Sequence, residues 1–357
     1  MIRKIRIQDL AAIADFAPES NFTGVNVILG KNDMCKTILM KMLYAICKSS
    51  ESYAFMIENS PLVRSFDAIL ATKLQGVYGR NANGLGDLVR KNGTPPRLSV
   101  HVEMDGGMIS ILDFSFGSDT RTVIKDCTMT MAPLLSPMNA IYVPANEVVT
   151  AFAAIKAITK QYHFPGYDDT TLDLIDLLDI PVTTESMDFE DVSNRIKTIF
   201  GGELKQVSTH ERFVFHKGNN DFRMHLTAEG VKHMGVLATL INNGTLRKGT
   251  VLFLDEPENN LHPYALREVV KAIMKLSELG VQIFLTTHNY FVLKQLQIES
   301  VRMSRDVTCC SLSRNSDTKI VEARFSNLRE GVPTANDIVE ESLKMYNEDI
   351  DIVDNVM

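Results

Sequence analysis

The first residues, MIRKIRIQDL, alternate apolar and polar positions, with Ile2, Ile5 and Ile7 spaced as in an opening strand. GVNVILG (24–30) is a short apolar run closed by Gly and predicts a buried strand. In KTILMKMLYAICKS (36–49) the apolar residues Ile38, Leu39, Met42, Leu43 and Ile46 take up a helical period. Strand, loop and helix thus follow one another without a gap. GRNANGLG (79–86) has the Gly and Asn density of a mobile loop. Alternation returns with Leu98, Val100, Val102 and Met104, a Gly106-Gly107 turn, then Ile109, Ile111 and Phe114, which together predict a hairpin. NAIYVP is a further strand, stopped at Pro144. From 148 to 200 the chain reads as helical and acidic, with Leu174, Ile175, Leu177 and Leu178 flanked by Asp173, Asp176 and Asp179. RFVFHK (212–217) and FRMHL (222–226) predict strands. TVLFLDE (250–256), a helix over 263–279 and VQIFLTTH (281–288) form a βαβ unit, which implies a parallel core sheet. No internal repeat or sustained heptad is visible.

Composition narrows the class. A chain of 357 residues holds one large α/β domain with insertions, or two modest ones. Its 45% hydrophobic and 23% charged residues are those of an ordinary globular protein. No apolar run reaches the ~18 residues of a membrane span, and the N-terminus lacks the apolar core of a secretory signal. Cys35, Cys47, Cys127, Cys309 and Cys310 are odd in number and have no CxxC spacing, which predicts reduced thiols in the cytoplasm rather than disulfides or a zinc site. A net charge of −7 draws nothing global to nucleic acid, although a local basic strip is compatible with it.

Candidate chemistry concentrates in two places. GKNDMCKT (30–37) fits GxxxxGK[ST] with Cys35 in place of the second Gly. Such a loop turns backbone N–H groups toward a phosphate ahead of a helix N-terminus, so Gly30, Lys31, Asn32, Asp33, Met34 and Cys35 are candidate nucleotide-binding residues. Lys36 would meet the β- and γ-phosphates, and the Thr37 hydroxyl would hold Mg²⁺. If position 35 needs a glycine-like backbone, the Cys costs about 1–2 kcal/mol. The plainer alternative is a strand–turn–helix that happens to contain Lys-Thr. In VLFLDEPENNLHP (251–263), a buried strand delivers two carboxylates at its C-terminal end, where α/β sheets place ligands. Asp255 would bind Mg²⁺ and Glu256 would act as general base for the attacking water. A solvated acidic turn is the alternative there, but it leaves the following PENNLHP unexplained. His288 ends the adjacent strand, in reach of a γ-phosphate.

In this order GKNDMCKT, LTAEGVKHMG (226–235), LFLDEPENNLHP and FLTTHN resemble the ABC-ATPase head shared by SMC, RecF and OLD-type proteins. INNGTLRKGTVLFLDEPENNLHP is especially similar to the stand-alone bacterial AAA-family ATPases of the OLD-like group. IYVPANEVVTAF (141–152) resembles the element that stands in the place of their Q-loop. The resemblance implies an α/β P-loop core with a parallel sheet, an antiparallel β subdomain and an inserted helical subdomain. Its parts would be lobe I at 1–147, the helical insertion at 148–204, lobe II at 205–300 and C-terminal strands with an acidic helical tail at 301–357. It further implies ATP and Mg²⁺ as cofactors and a homo-oligomer, in which the signature motif of one copy caps the phosphate held by the other. Thr227 and Gly230 fall in that motif, where Ala228 and Glu229 replace serines common in the family. An ordinary helix start, with Thr227 as N-cap, is the competing reading. The spacing from Thr37 to Gly230 leaves no room for long coiled-coil arms, and the 69 residues after His288 hold no evident acidic metal cluster. A nuclease or toxin activity is therefore expected on a separately encoded effector, with the chain regulating it in bacterial phage defence. A RecF-like ATPase binding DNA and a nucleotide-binding scaffold with little turnover are the alternatives. The insert around 167–189 and the acidic tail are candidate partner contacts, and a docked tail would suit a basic surface.

Overall fold

The computed structural model describes residues 1–60, 64–79, 84–91, 96–132, 138–162, 166–182, 187–207, 212–334 and 336–356. The chain opens with β1 (Ile2–Leu10), β2 (Ile13–Phe16) and β3 (Val25–Leu29), then α1 (Lys36–Asn59) and α2 (Phe66–Tyr78). β4 (Arg97–Met104) and β5 (Ile109–Gly117) are the hairpin expected about Gly106-Gly107, and both glycines take positive φ (80° and 79°). β6 (Asp126–Met131) extends the hairpin, and β7 (Asn139–Val143) follows. Next come α3 (Phe152–Tyr162), α4 (Asp169–Leu178) and α5 (Met187–Phe200), then β8 (Glu203–Gln206), β9 (Phe213–Lys217) and β10 (Asn220–Arg223). α6 (Glu229–Asn242), β11 (Thr250–Asp255), α7 (Pro263–Glu278), β12 (Gln282–Thr287) and α8 (Tyr290–Arg302) carry the chain to β13 (Val307–Arg314), β14 (Val321–Asn327) and α9 (Asp337–Val356).

One eleven-stranded sheet runs in the order β6-β5-β4-β1-β2-β14-β13-β3-β12-β11-β7, and β8, β9 and β10 form a separate antiparallel sheet. From β13 to β7 all neighbours are parallel, whereas β6 through β2 are antiparallel. β3, β7, β11 and β12 are buried along their whole length because both faces are covered. Val27, Leu29, Leu252, Leu254, Ile283 and Leu285 face one core together with α6, α7 and α8. Ile28, Val251, Phe253 and Phe284 face the other, under α1 and α2. This sandwich fixes where the strand ends, and hence the site, lie.

Three local expectations are corrected. Residues 84–88 of the expected mobile loop form a 3-10 turn with Leu85 and Gly86 buried, while 80–83 lie outside the described residues. The segment 222–226 stays extended only to Arg223, and Met224–Leu226 is a 3-10 turn. The helix that begins at Lys36 continues ten residues past Ser49 to Asn59.

Candidate functional site

β3, β12 and β11 are adjacent and parallel, so their C-terminal ends open side by side. Thr286 lies opposite Asp255, and Thr287 lies opposite Leu29. The three loops that carry the candidate residues therefore converge by register alone.

The loop 30–37 wraps into α1 with two left-handed residues, Asp33 (φ 66°) and Cys35 (φ 60°, ψ 19°). A side chain at Gly30 would be crowded, since a Cβ would sit 3.0 Å from the Leu312 carbonyl oxygen and 3.2 Å from Met34 Cβ. Met34 packs against the core beneath. Asn32 is exposed in the turn. Asp33 is held from outside by Arg314, which donates to its carbonyl at 2.6 Å and its carboxylate at 3.1 Å. Lys31 pairs with Asp337 at the start of α9 at 3.3 Å. Cys35 caps α1 without any side-chain hydrogen bond, so the first-turn N–H groups and the positive end of the helix dipole are left for an anion. Lys36 Nζ donates to the carbonyls of Gly30 (2.7 Å) and Lys31 (3.0 Å). Burial pushes its pKa down, against the pull of Glu256, Asp255 and Glu258.

Cys35 supplies the first prediction. Left-handed strain of about 1–2 kcal/mol outweighs the extra backbone entropy of Gly, about 0.5–1 kcal/mol, by a small margin. Cys35→Gly should therefore raise unfolding stability by roughly 0.5–1 kcal/mol, read as a higher denaturation midpoint at unchanged m-value. A lowered midpoint would mean that the packing of the thiol outweighs the strain.

Asp255 is buried and accepts hydrogen bonds from three hydroxyls: Thr37 (3.1 Å), Tyr142 (3.1 Å) and Thr286. The Asp255 carboxylate and the Thr37 hydroxyl, meeting beside the 30–37 loop, are hard oxygen donors of the kind Mg²⁺ takes, so these residues fit that ion. Glu256 follows in a left-handed conformation (φ 48°) with its N–H on Thr286 Oγ1 at 3.1 Å. Its carboxylate receives Asn259 Nδ2 at 3.3 Å and lies 2.9 Å from His288 Nδ1. Residues 30–37, Asp255, Glu256 and His288 are thus brought together.

Sequence reasoning missed Tyr142, Thr286, Glu258, His233 and Arg314. Tyr142 sits mid-strand in an apolar run, and its partner is 113 residues away. Glu258 was legible only as part of PENN. It is buried, Thr287 donates to one carboxyl oxygen, and the other has no partner; burial raises its pKa. His233 on α6 is buried with Nε2 unpaired, and burial pushes its pKa down to about 4.

His233 gives a pH prediction for the nucleotide-free protein. Between about 6.5 and about 4 the unfolded chain binds a proton that the folded His233 refuses. Stability should therefore fall as pH drops through this window, by about 3 kcal/mol at most. Glu258 acts oppositely, because its raised pKa favours the folded state as acid is added. Comparing denaturation midpoints of the parent and His233→Gln at pH 7.5 and 4.5 leaves Glu258 common to both. Equal losses in the two proteins would exclude His233 as the responsible group.

Thr227 and Gly230 belong to a second group at the start of α6. The alternative reading of Thr227 as N-cap is corrected: Ala228 is the N-cap, without a side-chain bond, and the Thr227 hydroxyl donates to the Arg223 carbonyl at 3.1 Å. Gly230 is required by packing, since a Cβ would lie 2.8 Å from the Asn260 carbonyl oxygen and 2.6 Å from Leu261. The segment after Glu256 is thereby pressed against α6. Lys232 is buried and engages Glu229 at 2.7 Å and Glu147 at 3.9 Å.

Comparison with known proteins bears on this arrangement. Residues 123–294, just under half of the chain, match the family described as "AAA domain, putative AbiEii toxin, Type IV TA system". The Old nuclease of Escherichia phage P2 is 24% identical over 114 residues, 32% of this chain and 19% of that protein. The match thus spans about a fifth of that relative. The Smc head bound to the C-winged helix domain of ScpA superposes with a TM-score of 0.54 at 13% identity, covering 92% of this chain and 98% of that one. The Smc head with an extended coiled coil, bound to the C-terminal domain of ScpA derived from Pyrococcus furiosus, gives 0.50 at 13% identity, covering 97% and 98%. The chain is similar to the ABC/SMC-like ATPases of the OLD-like group. The fold of an SMC-like head is common to both structures, and the family match takes in Asp255, Glu256 and His288. No helix among the described residues is long and apolar enough to cross a membrane.

Proposed function

We propose that this chain hydrolyses ATP with Mg²⁺ at a site completed by a second copy, and so regulates a separately encoded nuclease or toxin in bacterial phage defence. The observation that carries the catalytic part is the cluster at the ends of β3, β11 and β12, where Lys36, Thr37, Asp255, Glu256 and His288 meet. Residues 30–37 and the start of α1 would hold the triphosphate, and Thr37 and Asp255 would hold Mg²⁺, which when bound neutralises phosphate charge. Glu256 takes the proton of the attacking water, and His288, 2.9 Å from it, keeps its carboxylate oriented. Thr227 and Gly230 face a second copy in this reading, since the uncapped start of α6 offers N–H groups to a γ-phosphate. Lobes 1–147 and 205–300 would form the head, with 148–204 inserted; of 301–357, β13 and β14 join the head's sheet beside β3 and α9 is the acidic helical tail. The similarity to the Old nuclease and to a family described by a toxin supports the defence role.

The test is ATP turnover by the purified protein, with its mass recorded with and without Mg-ATP. Turnover accompanied by ATP-dependent association is expected. Absence of both would remove the composite-site ATPase, and nucleotide binding without turnover would favour a scaffold.

A further inference from the structure

α9 leaves the body of the protein after its first turn. Ile338 and Val339 pack into the core, and Asp337 pairs with Lys31 of the phosphate loop. Beyond them Leu343, Met345, Tyr346, Ile350 and Ile352 are 40–70% exposed. Val339, Leu343, Tyr346 and Ile350 are spaced by four, three and four residues. That is the alternation of a seam that a second helix covers. Met345 and Ile352 lie beyond Ser342 and Asp349 on the helix surface and are not part of this seam. Over this one short helix the spacing follows a heptad.

Charge selects the occupant. The positions flanking the seam are Glu340, Ser342, Asn347 and Asp349, with no cation among them. Lys344 lies off the seam and is engaged by Glu341 at 3.0 Å. Two copies of α9 paired along this seam would bring like-charged flanks together, which is destabilising. We propose that the free face of α9 receives an amphipathic helix of a different protein, apolar along its seam and carrying Lys or Arg beside it. The inference rests on the partner clause of the reading above and gives that partner a surface and a chemistry. Apolar side chains supply the affinity, and the flanking charges select the partner and speed its approach.

The probe is a synthetic three-heptad helix with Leu at the seam positions and Lys or Arg beside them. Its control carries Glu at the flanking positions. Binding to the full chain is followed by fluorescence anisotropy, with ATP turnover and mass measured on the same samples. The basic helix should bind, and more weakly as salt rises. Leu343→Ser and Ile350→Ser together should weaken it by at least about tenfold while turnover is unchanged. Equal binding to parent and variant, or equal binding of the acidic helix, would overturn the proposal. A nucleotide-free dimer dissociated by the two substitutions would overturn it as well, because a second copy would then be the occupant. A parent protein that turns over ATP but does not bind the basic helix would count against this surface alone. Absent turnover with intact peptide binding counts against the ATPase reading alone.

Discussion

Glu256→Gln is expected to lower ATP turnover by about 10²–10⁴-fold while leaving ATP affinity within a few-fold of the parent. The two side chains have the same shape, so the left-handed backbone at φ 48° and the bond from the Glu256 N–H to Thr286 are undisturbed. The amide oxygen can still accept a hydrogen bond from Asn259 or His288, which now lie at 3.3 and 2.9 Å from the carboxylate. What is lost is an acceptor basic enough to take a proton from water. In the proposed reading binding is held elsewhere, by residues 30–37 and Asp255, so the protein should load ATP and stall. If two copies close over the nucleotide, the stalled form accumulates as a dimer in Mg-ATP. Single-turnover phosphate release, equilibrium ATP binding and mass are the three readouts. Hydrolysis at the parent rate would remove Glu256 as the base. Loss of turnover without accumulation of dimer would keep the base and remove the composite site.

How far the site could be read from sequence depends on how local its causes are. β3, β11 and β12 are buried on both faces, so each has an apolar centre; Gly30, Asp255, Glu256 and His288 fall at or just beyond the strand ends, and Lys36 opens the helix that follows β3. Adjacent parallel strands then bring those ends together without further information. The end of α1 was hidden because its buried positions include Ser49 and Ser50, and because Glu51 there accepts a hydrogen bond from the Ala140 N–H at 2.9 Å. These are tertiary demands that a hydrophobic period does not carry. α2 went unread for a related reason. Gly76 interrupts it, yet a Cβ there would lie 2.2 Å from the Asp169 carboxylate, so the glycine serves helix packing rather than a turn. Thr227 has the chemistry of an N-cap, but its hydroxyl turns to the Arg223 carbonyl and Ala228 takes the cap position. Cys35 is the reverse case: the sequence posed it as a misfit to a glycine position, and its φ of 60° shows the misfit to be real.

Lys36→Ala should abolish nucleotide binding at working concentrations, with affinity falling by about a hundredfold or more. A hydrogen bond to a charged group contributes about 1.5–3 kcal/mol, and an ammonium meeting two phosphates makes more than one. Each 1.4 kcal/mol is a factor of ten. The substitution should leave the fold nearly untouched. In the nucleotide-free protein the ammonium is buried and donates to the carbonyls of Gly30 and Lys31. Removing it leaves those two carbonyls without that donor but also removes the desolvation that holds its pKa down, so the two effects oppose each other. Lys31, Asp33 and Met34 remain tied to Asp337, Arg314 and the core, which keeps the loop in place when Lys36 is gone. Thermal unfolding within a few degrees of the parent, with ATP binding lost in calorimetry, is therefore the expected pair of results. ATP affinity equal to that of the parent would mean that the triphosphate does not lie in this loop. The cluster of Asp255, Glu256 and His288 would then have to act on something other than a nucleotide held beside it.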